Sequence, residues 1–209
     1  MKQIIVSGVI GLLMSLSPPA AAGVPTDQLK HTTDRVLQLV QDPALKAPGK
    51  TEVRRKEIRA VADEIFDWQA TGRRALARHW QPLSAAQRAE FSTLFADLLE
   101  RSCVGKIEAY TGEKIRYVGE TVDGDEVTVL TRLVTHSNTE IPIDYRMAKD
   151  GDRWRVYDVL IEGVSLVNNY RTQFNRIIAQ QGYDELVKKL KTKQEELVFE
   201  QQAPKKTTP

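Results

Sequence analysis

The sequence predicts an α+β domain: a curved, four-stranded antiparallel sheet with helices before and after it, packed over one face. Two observations support this class. Apolar residues recur at helical spacing before position 112, whereas residues 114–161 form short runs rich in β-branched and aromatic residues. Turn-forming dipeptides separate these runs, which predicts a meander of consecutive strands. The dipeptides are Asp123-Gly124, Ser137-Asn138 and Asp150-Gly151.

Residues 1–22 predict a secretory signal peptide. A basic start with Lys2 precedes an apolar run from Ile4 to Leu16, and small residues lead to an Ala20-x-Ala22 cleavage motif. The run is shorter than the roughly 20 apolar residues of a membrane-spanning helix, so a membrane anchor is the weaker interpretation. We therefore expect a periplasmic domain over residues 23–197 and a disordered polar tail over residues 198–209.

Composition narrows the classes of function. With 30 basic and 28 acidic residues the formal net charge is only +2, which argues against nucleic-acid binding. The single cysteine, Cys103, allows no intramolecular disulfide, and its apolar neighbours predict a buried helical residue. The three histidines have no metal-ligand spacing, so no metal or other cofactor is expected.

The helices before the sheet are predicted from caps and periodicity. A first helix capped by Thr26 or Asp27 should end at Asp42, before a proline, and a second should start at Thr51. Shorter helical pieces are expected around Gly72. The strongest start signal is the capping-box spacing of Ser84 and Gln87, which opens a long helix running towards Tyr110.

The last third of the chain begins with an unusual strand. From Trp154 to Ile161 apolar groups occupy both faces, where simple alternation places Trp154 and Val156 on one side and Tyr157, Val159 and Ile161 on the other. Gly163 should end this strand. Helices are then predicted over 165–181, with Ser165 as the cap, and from about 184 to 197.

Apolar groups on both faces of a strand fit either a filled core or a cavity for an apolar ligand. A twisted meander covered by helices closes into a cone-like apolar pocket. Eight sheet residues are the candidates for one wall, and five residues outside the four strands are the candidates for the other. The first set is Val118, Val129, Leu133, Ile143, Tyr145, Met147, Trp154 and Val156; the second is Leu94, Leu98, Tyr110, Val164 and Phe174.

The sequence gives only weak indications of a catalytic site. Ser165 lacks the second glycine of a nucleophile elbow, which favours a helix cap. Asp144, Tyr145 and Asp158 could form an acid–base site in a cone-shaped pocket. For Asp158 the simpler hypothesis is that it accepts hydrogen bonds from backbone amides where the strand leaves the sheet. An enzyme with a small-molecule substrate thus stays an alternative, and a non-enzyme is the main prediction.

Two segments resemble a known family. His79 to Leu99, HWQPLSAAQRAEFSTLFADLL, is similar to one block of the MlaC-type periplasmic phospholipid-binding proteins, also called toluene-tolerance proteins, auxiliary components of an ABC transporter. Trp154 to Leu190 carries the more distinctive segment, WRVYDVLIEGVSLVNNYRTQF followed by a late glycine and a helix. His79 departs from the pattern, since an aromatic residue usually precedes the tryptophan.

The resemblance implies a function. Proteins of this family carry phospholipid with its acyl chains in a pocket between sheet and helices, and they maintain outer-membrane lipid asymmetry. It also implies partners: an inner-membrane ABC transporter with a lipid-gating ring subunit and an outer-membrane lipoprotein–porin complex. A monomer without catalytic residues is expected. The rival within this superfamily is a carrier of another apolar cargo, such as a hopanoid or a solvent molecule.

Overall fold

The computed structural model describes residues 23–108 and 110–192, and the side chains of residues 103–109 are not considered. The fold has helices, then an antiparallel sheet, then helices. The helices are α1 (Val24–Gln41), α2 (Pro43–Lys46), α3 (Thr51–Ile65), α4 (Trp68–Leu76), a 3-10 turn (Ala77–His79), α5 (Ala85–Glu108), α6 (Leu166–Gln181) and α7 (Tyr183–Lys191). The strands are β1 (Lys114–Asp123), β2 (Glu126–Val134), β3 (Glu140–Asp150), β4 (Arg153–Ile161) and β5 (Val164–Ser165).

Local sequence signals account for the helix boundaries. The predicted capping box at the start of α5 is confirmed, because Ser84 N donates to Gln87 Oε1 at 2.9 Å and Gln87 N donates to Ser84 Oγ at 3.2 Å. Ser165 caps α6 as predicted, with its Oγ accepting from Asn168 N at 2.9 Å. Helix α1 begins earlier than predicted, with Gly23 rather than Thr26 or Asp27 as the N-cap.

The sheet has five strands in the order β1-β2-β3-β4-β5, so the prediction of four strands was one too few. The extra strand has two residues, and it exists because the chain reverses immediately after β4. Glu162 and Gly163 both have positive φ, 51° and 80°, in a tight turn that pairs Val164 with Ile161. A two-residue strand carries too little periodicity to be seen in the sequence.

A β-bulge corrects the expected faces of β4. Arg146 pairs with Asp158 and Met147 pairs with Val156, which leaves Tyr157 as an inserted residue. The insertion shifts the alternation by one position, so Val159 lies on the same face as Val156 instead of the opposite one. The apolar residues of β4, which the sequence distributed over two faces of the sheet, therefore lie mainly on one face.

The buried residues form two separate clusters. The first, here called the bundle core, lies within α4, α5, α6 and α7 and is built around the packed rings of Phe91, Phe95, Tyr170 and Phe174. The second lies under the sheet, where Leu29 of α1 and Ile65 of α3 cover the buried strand residues. The helical bundle and the sheet are thus packed around separate clusters.

Several predictions concern residues outside the described ranges. The signal peptide over 1–22, the tail over 198–209 and the end of the last helix fall there, as does the side chain of Cys103. Within residues 23–108 and 110–192, no helix is both long and apolar enough to cross a membrane.

Candidate functional site

One face of the sheet is mainly apolar, and helices bury only half of it. Near the β1–β2 and β3–β4 turns, Val127, Val129, Met147 and Val156 are almost fully buried against α1 and the end of α3. A backbone pairing between Phe66 and Val156 fixes the end of α3 beside β4. This half is therefore an ordinary packed core, stabilised by burial of apolar surface.

The other half of this face, towards the β2–β3 turn, is only partly covered. Its side chains are all aliphatic and half-buried, and none is a member of either described core cluster. We call it the aliphatic half-face. Register places its members side by side on β1, β2, β3 and β4: Ile115, Leu133, Ile141, Ile143 and Ile161. Such a row of branched side chains presents hydrocarbon without hydrogen-bonding groups.

Two polar side chains on the apolar face have hydrogen-bond partners. Glu120, opposite Val129 on the edge strand β1, accepts from the Thr26 hydroxyl at 2.6 Å. Thr131 is buried beside the half-face, and its hydroxyl donates to the carbonyl of Ile143. The opposite face of the sheet carries the charges, in the ion pairs Arg132–Asp144 and Arg146–Asp158. The pleat thus separates a hydrocarbon surface from a charged one.

The structure brings most of the predicted sheet residues together. Seven of the eight share the apolar face: Val129, Leu133, Ile143, Tyr145, Met147, Trp154 and Val156. The exception is Val118, which lies at the bulge of the edge strand β1 and is 52% exposed.

The other five predicted residues are not brought to the sheet face as a set. Leu98 and Phe174 are buried in the bundle core, and Leu94 packs partly buried against it. Val164 of β5 is 58% exposed. Tyr110 is half-buried in the α5–β1 connection, where its hydroxyl donates to the carbonyl of Glu113 at 3.0 Å.

Three members of the aliphatic half-face were missed from sequence. Ile115 and Ile141 lie within predicted strands but were not selected as wall residues, and Ile161 was assigned to the opposite face because simple alternation cannot detect the bulge at Tyr157. Aligning the strands through their turns would have found two of them, because Leu133 lies opposite Ile115 on one side and Ile141 on the other.

Asp158 joins the sheet to the helical bundle. Its Oδ1 accepts from the backbone N–H of Val167 at 3.1 Å, and its Oδ2 accepts from the Ser165 hydroxyl at 2.6 Å and from Arg146 at 3.5 Å. The prediction that this carboxylate serves backbone amides at the strand end is confirmed. A buried acceptor with three donors fixes where α6 leaves the sheet.

The alternative acid–base site does not assemble. Tyr145 is on the apolar face, while Asp144 and Asp158 are on the opposite, charged face. Both carboxylates also accept hydrogen bonds from arginine, at 3.3 Å for Asp144 and 3.5 Å for Asp158. These three groups therefore cannot act on one substrate atom.

Helices of the described part of the chain line at least two clefts. One, of about 320 Å³, lies between the 3-10 turn and α6, and the other, of about 290 Å³, lies beside α4 and includes Arg73 and Arg88. Neither is lined by a residue of the predicted apolar pocket. The cone-like pocket thus stays a prediction, and the aliphatic half-face is its best-supported wall.

Comparisons with known proteins agree with this architecture. The family model described as MlaC protein matches residues 30–192. The intermembrane phospholipid transport system binding protein MlaC of Haemophilus influenzae is 26% identical over 167 residues, 78% of each chain.

The similarity extends to a solved structure. The phospholipid-binding protein from Ralstonia solanacearum, solved in complex with a phospholipid, superposes with a TM-score of 0.74. The match covers 85% of this chain and all of that one, at 24% sequence identity. At this level of identity the match establishes the fold.

Proposed function

The chain belongs to the MlaC family, and on that premise we propose that it is a periplasmic carrier of phospholipid between the inner and outer membranes. Its role is binding and transport rather than catalysis. The similar proteins from Haemophilus influenzae and Ralstonia solanacearum, one named for phospholipid transport and one for phospholipid binding, support the cargo.

The observation that carries the proposal is the aliphatic half-face. Each acyl CH₂ group exposed to water costs about 0.8 kcal/mol, so a two-chain lipid needs an apolar cover to cross an aqueous compartment. Branched side chains such as Leu133 and Ile143 supply that cover without placing polar groups against the tails. The charged headgroup loses no hydration if it stays in solvent.

We place the acyl chains between the half-face and the helices that approach it. Of the predicted sheet residues, Leu133 and Ile143 contact the tails in this proposal, and Tyr145 lies at the border with the packed half. Leu94 of α5, the predicted helical residue of the opposite wall, packs instead against the bundle core, so the proposal rests on the sheet side of the pocket.

The proposed partners follow from the family. Lipid would pass between an inner-membrane ABC transporter with a lipid-gating ring subunit and an outer-membrane lipoprotein–porin complex, which maintains outer-membrane asymmetry. A monomeric carrier suits this role, since each transfer needs one exposed opening to the pocket.

Release of cargo requires a movable wall, and we assign this to α6. Gly163 gives the turn before α6 its positive φ of 80°, and a Cβ added there would meet no atom beyond its chain neighbours within 4 Å. Gly72 of α4, by contrast, has a packing role: a Cβ there would lie 3.1 Å from Ser92 Oγ. A disulfide engineered between α6 and β4 should slow lipid transfer, and an unchanged rate would refute this mechanism.

The direct test of the cargo is organic extraction of the purified protein followed by mass spectrometry. A two-chain phospholipid should be recovered in near-stoichiometric amount. Recovery of a hopanoid or another single apolar compound would establish the rival carrier. Absence of any lipid would refute the proposal.

Blocking the half-face tests the place of binding. Leu133→Trp adds a large ring to the proposed wall and should lower lipid content severalfold. Val118→Trp, on the exposed bulge of β1, is the matched control and should leave lipid content unchanged. Lipid content is measured per folded protein, and equal loading of both variants would show that the tails lie elsewhere.

A further inference from the structure

The larger cleft has no part in the function proposed above. It lies on the outer side of the helical bundle, where the corner between α4 and the 3-10 turn meets α6. Its polar lining comes from Arg78 and His79 on one side and from Arg171, Thr172 and Asn175 on α6. The lining thus combines two guanidinium groups, an imidazole and an amide.

The two arginines of the cleft, Arg78 and Arg171, place positive charge at its surface. Some other arginines pair with carboxylates; Arg59, for example, pairs with both Asp97 and Glu100. Among the described residues neither Arg78 nor Arg171 forms an ion pair. Each therefore keeps a full positive charge next to a concave surface, where a bound anion would be attracted.

Neutral hydrogen bonds hold these cations in place. Arg78 Nη2 donates to Asn175 Oδ1 at 2.9 Å, and the same oxygen lies 3.0 Å from His79 Nε2. Arg171 donates through Nε to the carbonyl of Arg74 at 2.9 Å, and no described residue accepts from its two Nη groups. Side chains fixed in this way lose little conformational entropy when they bind a ligand.

The corner that presents Arg78 is strained. Ala77 has φ 49° and ψ −117°, a conformation that suits glycine and is rare for a residue with a side chain. This turn ends α4 and brings Arg78 and His79 against Asn175 of α6. Backbone strain of this kind concentrates at binding sites, where the surrounding structure maintains it.

We propose that this cleft is the docking site for an acidic segment of a partner protein. A guanidinium group offers paired N–H donors that match the two oxygens of a carboxylate. Arg78 and Arg171 would each pair with a glutamate or aspartate side chain of the partner. The inference rests on the proposed carrier function, because a carrier must dock on the proteins that load and unload it.

The cargo's own headgroup does not fit the position of the cleft. Arg171 and Asn175 lie on the outer side of α6, while Tyr170 and Phe174 on its inner side are buried in the bundle core. No strand residue lines the cleft, so an anion bound there lies apart from the aliphatic half-face, where we place the cargo.

A membrane surface is also the weaker occupant. Peripheral membrane binding combines basic residues with exposed apolar anchors. The large apolar residues that are exposed within the described part of the chain lie outside α4, the 3-10 turn and α6: Val24, Val53, Val118, Val122 and Val164. The basic cleft is thus shaped for a protruding acidic segment rather than a flat bilayer.

The test uses a fluorescent peptide of alternating glutamate and glycine, titrated with the mature full-length chain at low salt and followed by anisotropy. The double variant Arg78→Gln/Arg171→Gln should bind about tenfold more weakly, because charge-assisted hydrogen bonds are lost. Arg176→Gln is the matched control, an exposed arginine of α6 outside the cleft, and should change binding less than about twofold.

Four results would overturn the inference. The first is that the peptide does not bind the unmodified chain, and the second is that the double variant binds it as tightly as the unmodified chain does. The third is an equal loss of binding in Arg176→Gln, because such a loss would reflect net charge alone. The fourth is Arg78- and Arg171-dependent binding of phosphatidylglycerol vesicles in place of the peptide. If the double variant folds poorly, Arg171→Gln alone keeps the Arg78–Asn175 contact and should still cost about threefold.

Lipid extraction of the same variants separates this inference from the proposed function. The double variant should keep its lipid content while it loses peptide binding. An unmodified chain that binds the peptide but carries no lipid would refute the cargo and leave the docking site standing.

Discussion

The bundle core and the aliphatic half-face are both apolar, but they are built differently. In the bundle core, aromatic rings interlock at centroid distances of 5.0 to 5.8 Å, and Phe91 and Phe174 are fully buried. The half-face consists of leucine and isoleucine side chains that remain half-exposed. Filled aromatic packing leaves no space for a ligand, whereas partly covered aliphatic rows can exchange solvent contact for hydrocarbon contact.

The difference shows how one small domain can be both stable and able to bind lipid. Stability comes from the bundle core and from the covered half of the sheet face. The half-face adds less, because its side chains gain only part of the free energy of burial. A binding surface that is not needed for folding can be opened and closed at low cost.

The largest expected effect is the loss of stability in Phe174→Ala. Removing a ring from a filled core should lower the free energy of unfolding by about 4 kcal/mol. Ile143→Ala, on the half-face, should cost only about 1 kcal/mol, because that side chain is half-exposed. Urea unfolding of the delipidated proteins measures both, and equal losses would erase the distinction between the two regions.

The stabilising effect of added lipid should also distinguish these two variants. A ligand that binds only the folded state raises stability by an amount that grows with its affinity. Adding lipid back should therefore stabilise the Phe174→Ala protein as much as the unmodified one. It should stabilise the Ile143→Ala protein less.

A smaller effect is expected at the joint between the two regions. Asp158→Asn keeps the shape of the side chain but removes a buried charge that accepts three hydrogen bonds, so stability should fall by about 2 kcal/mol. Asp144→Asn, on the same charged face, is the control and should cost less than about 1 kcal/mol, since it is more exposed. Comparable losses would mean that Asp158 does not anchor α6.

The smallest effect is a pH dependence at high pH. Burial, reinforced by its hydrogen bond to Glu126, raises the pKa of Tyr157 to about 12 from an ordinary value of 10. Its hydroxyl therefore stabilises the fold fully below pH 10, and this contribution is lost as the pH rises towards 12. Unfolding measured across this window should depend less on pH in Tyr157→Phe, and an unchanged dependence would show that Tyr157 is not the cause.

Much of this architecture could be read from the sequence, because it rests on local signals. Ser84 with Gln87, the Asp-Gly turns and Ser165 act through neighbours a few residues away, and each was found where expected. The bulge at Tyr157 could not be found in this way, since an inserted residue is defined only by the register of the opposite strand.

The candidate site was predicted only in part, because local sequence patterns show which residues face inward but not what they contact. Alternation along β2 and β3 identified Leu133 and Ile143. Helical periodicity identified Leu98 and Phe174 as inward-facing, but periodicity does not tell which partner a buried face meets. The structure shows that these two face other helices rather than the sheet.

The most direct test of the account is photocrosslinking from the two regions to bound lipid. A benzophenone side chain in place of Ile143 should form a covalent adduct with an acyl chain of copurified phospholipid, detected by mass spectrometry of the intact protein. The same side chain in place of Leu98, in the bundle core, should form none. Adducts at position 98 with none at position 143 would contradict the account, because the tails would then lie within the helices.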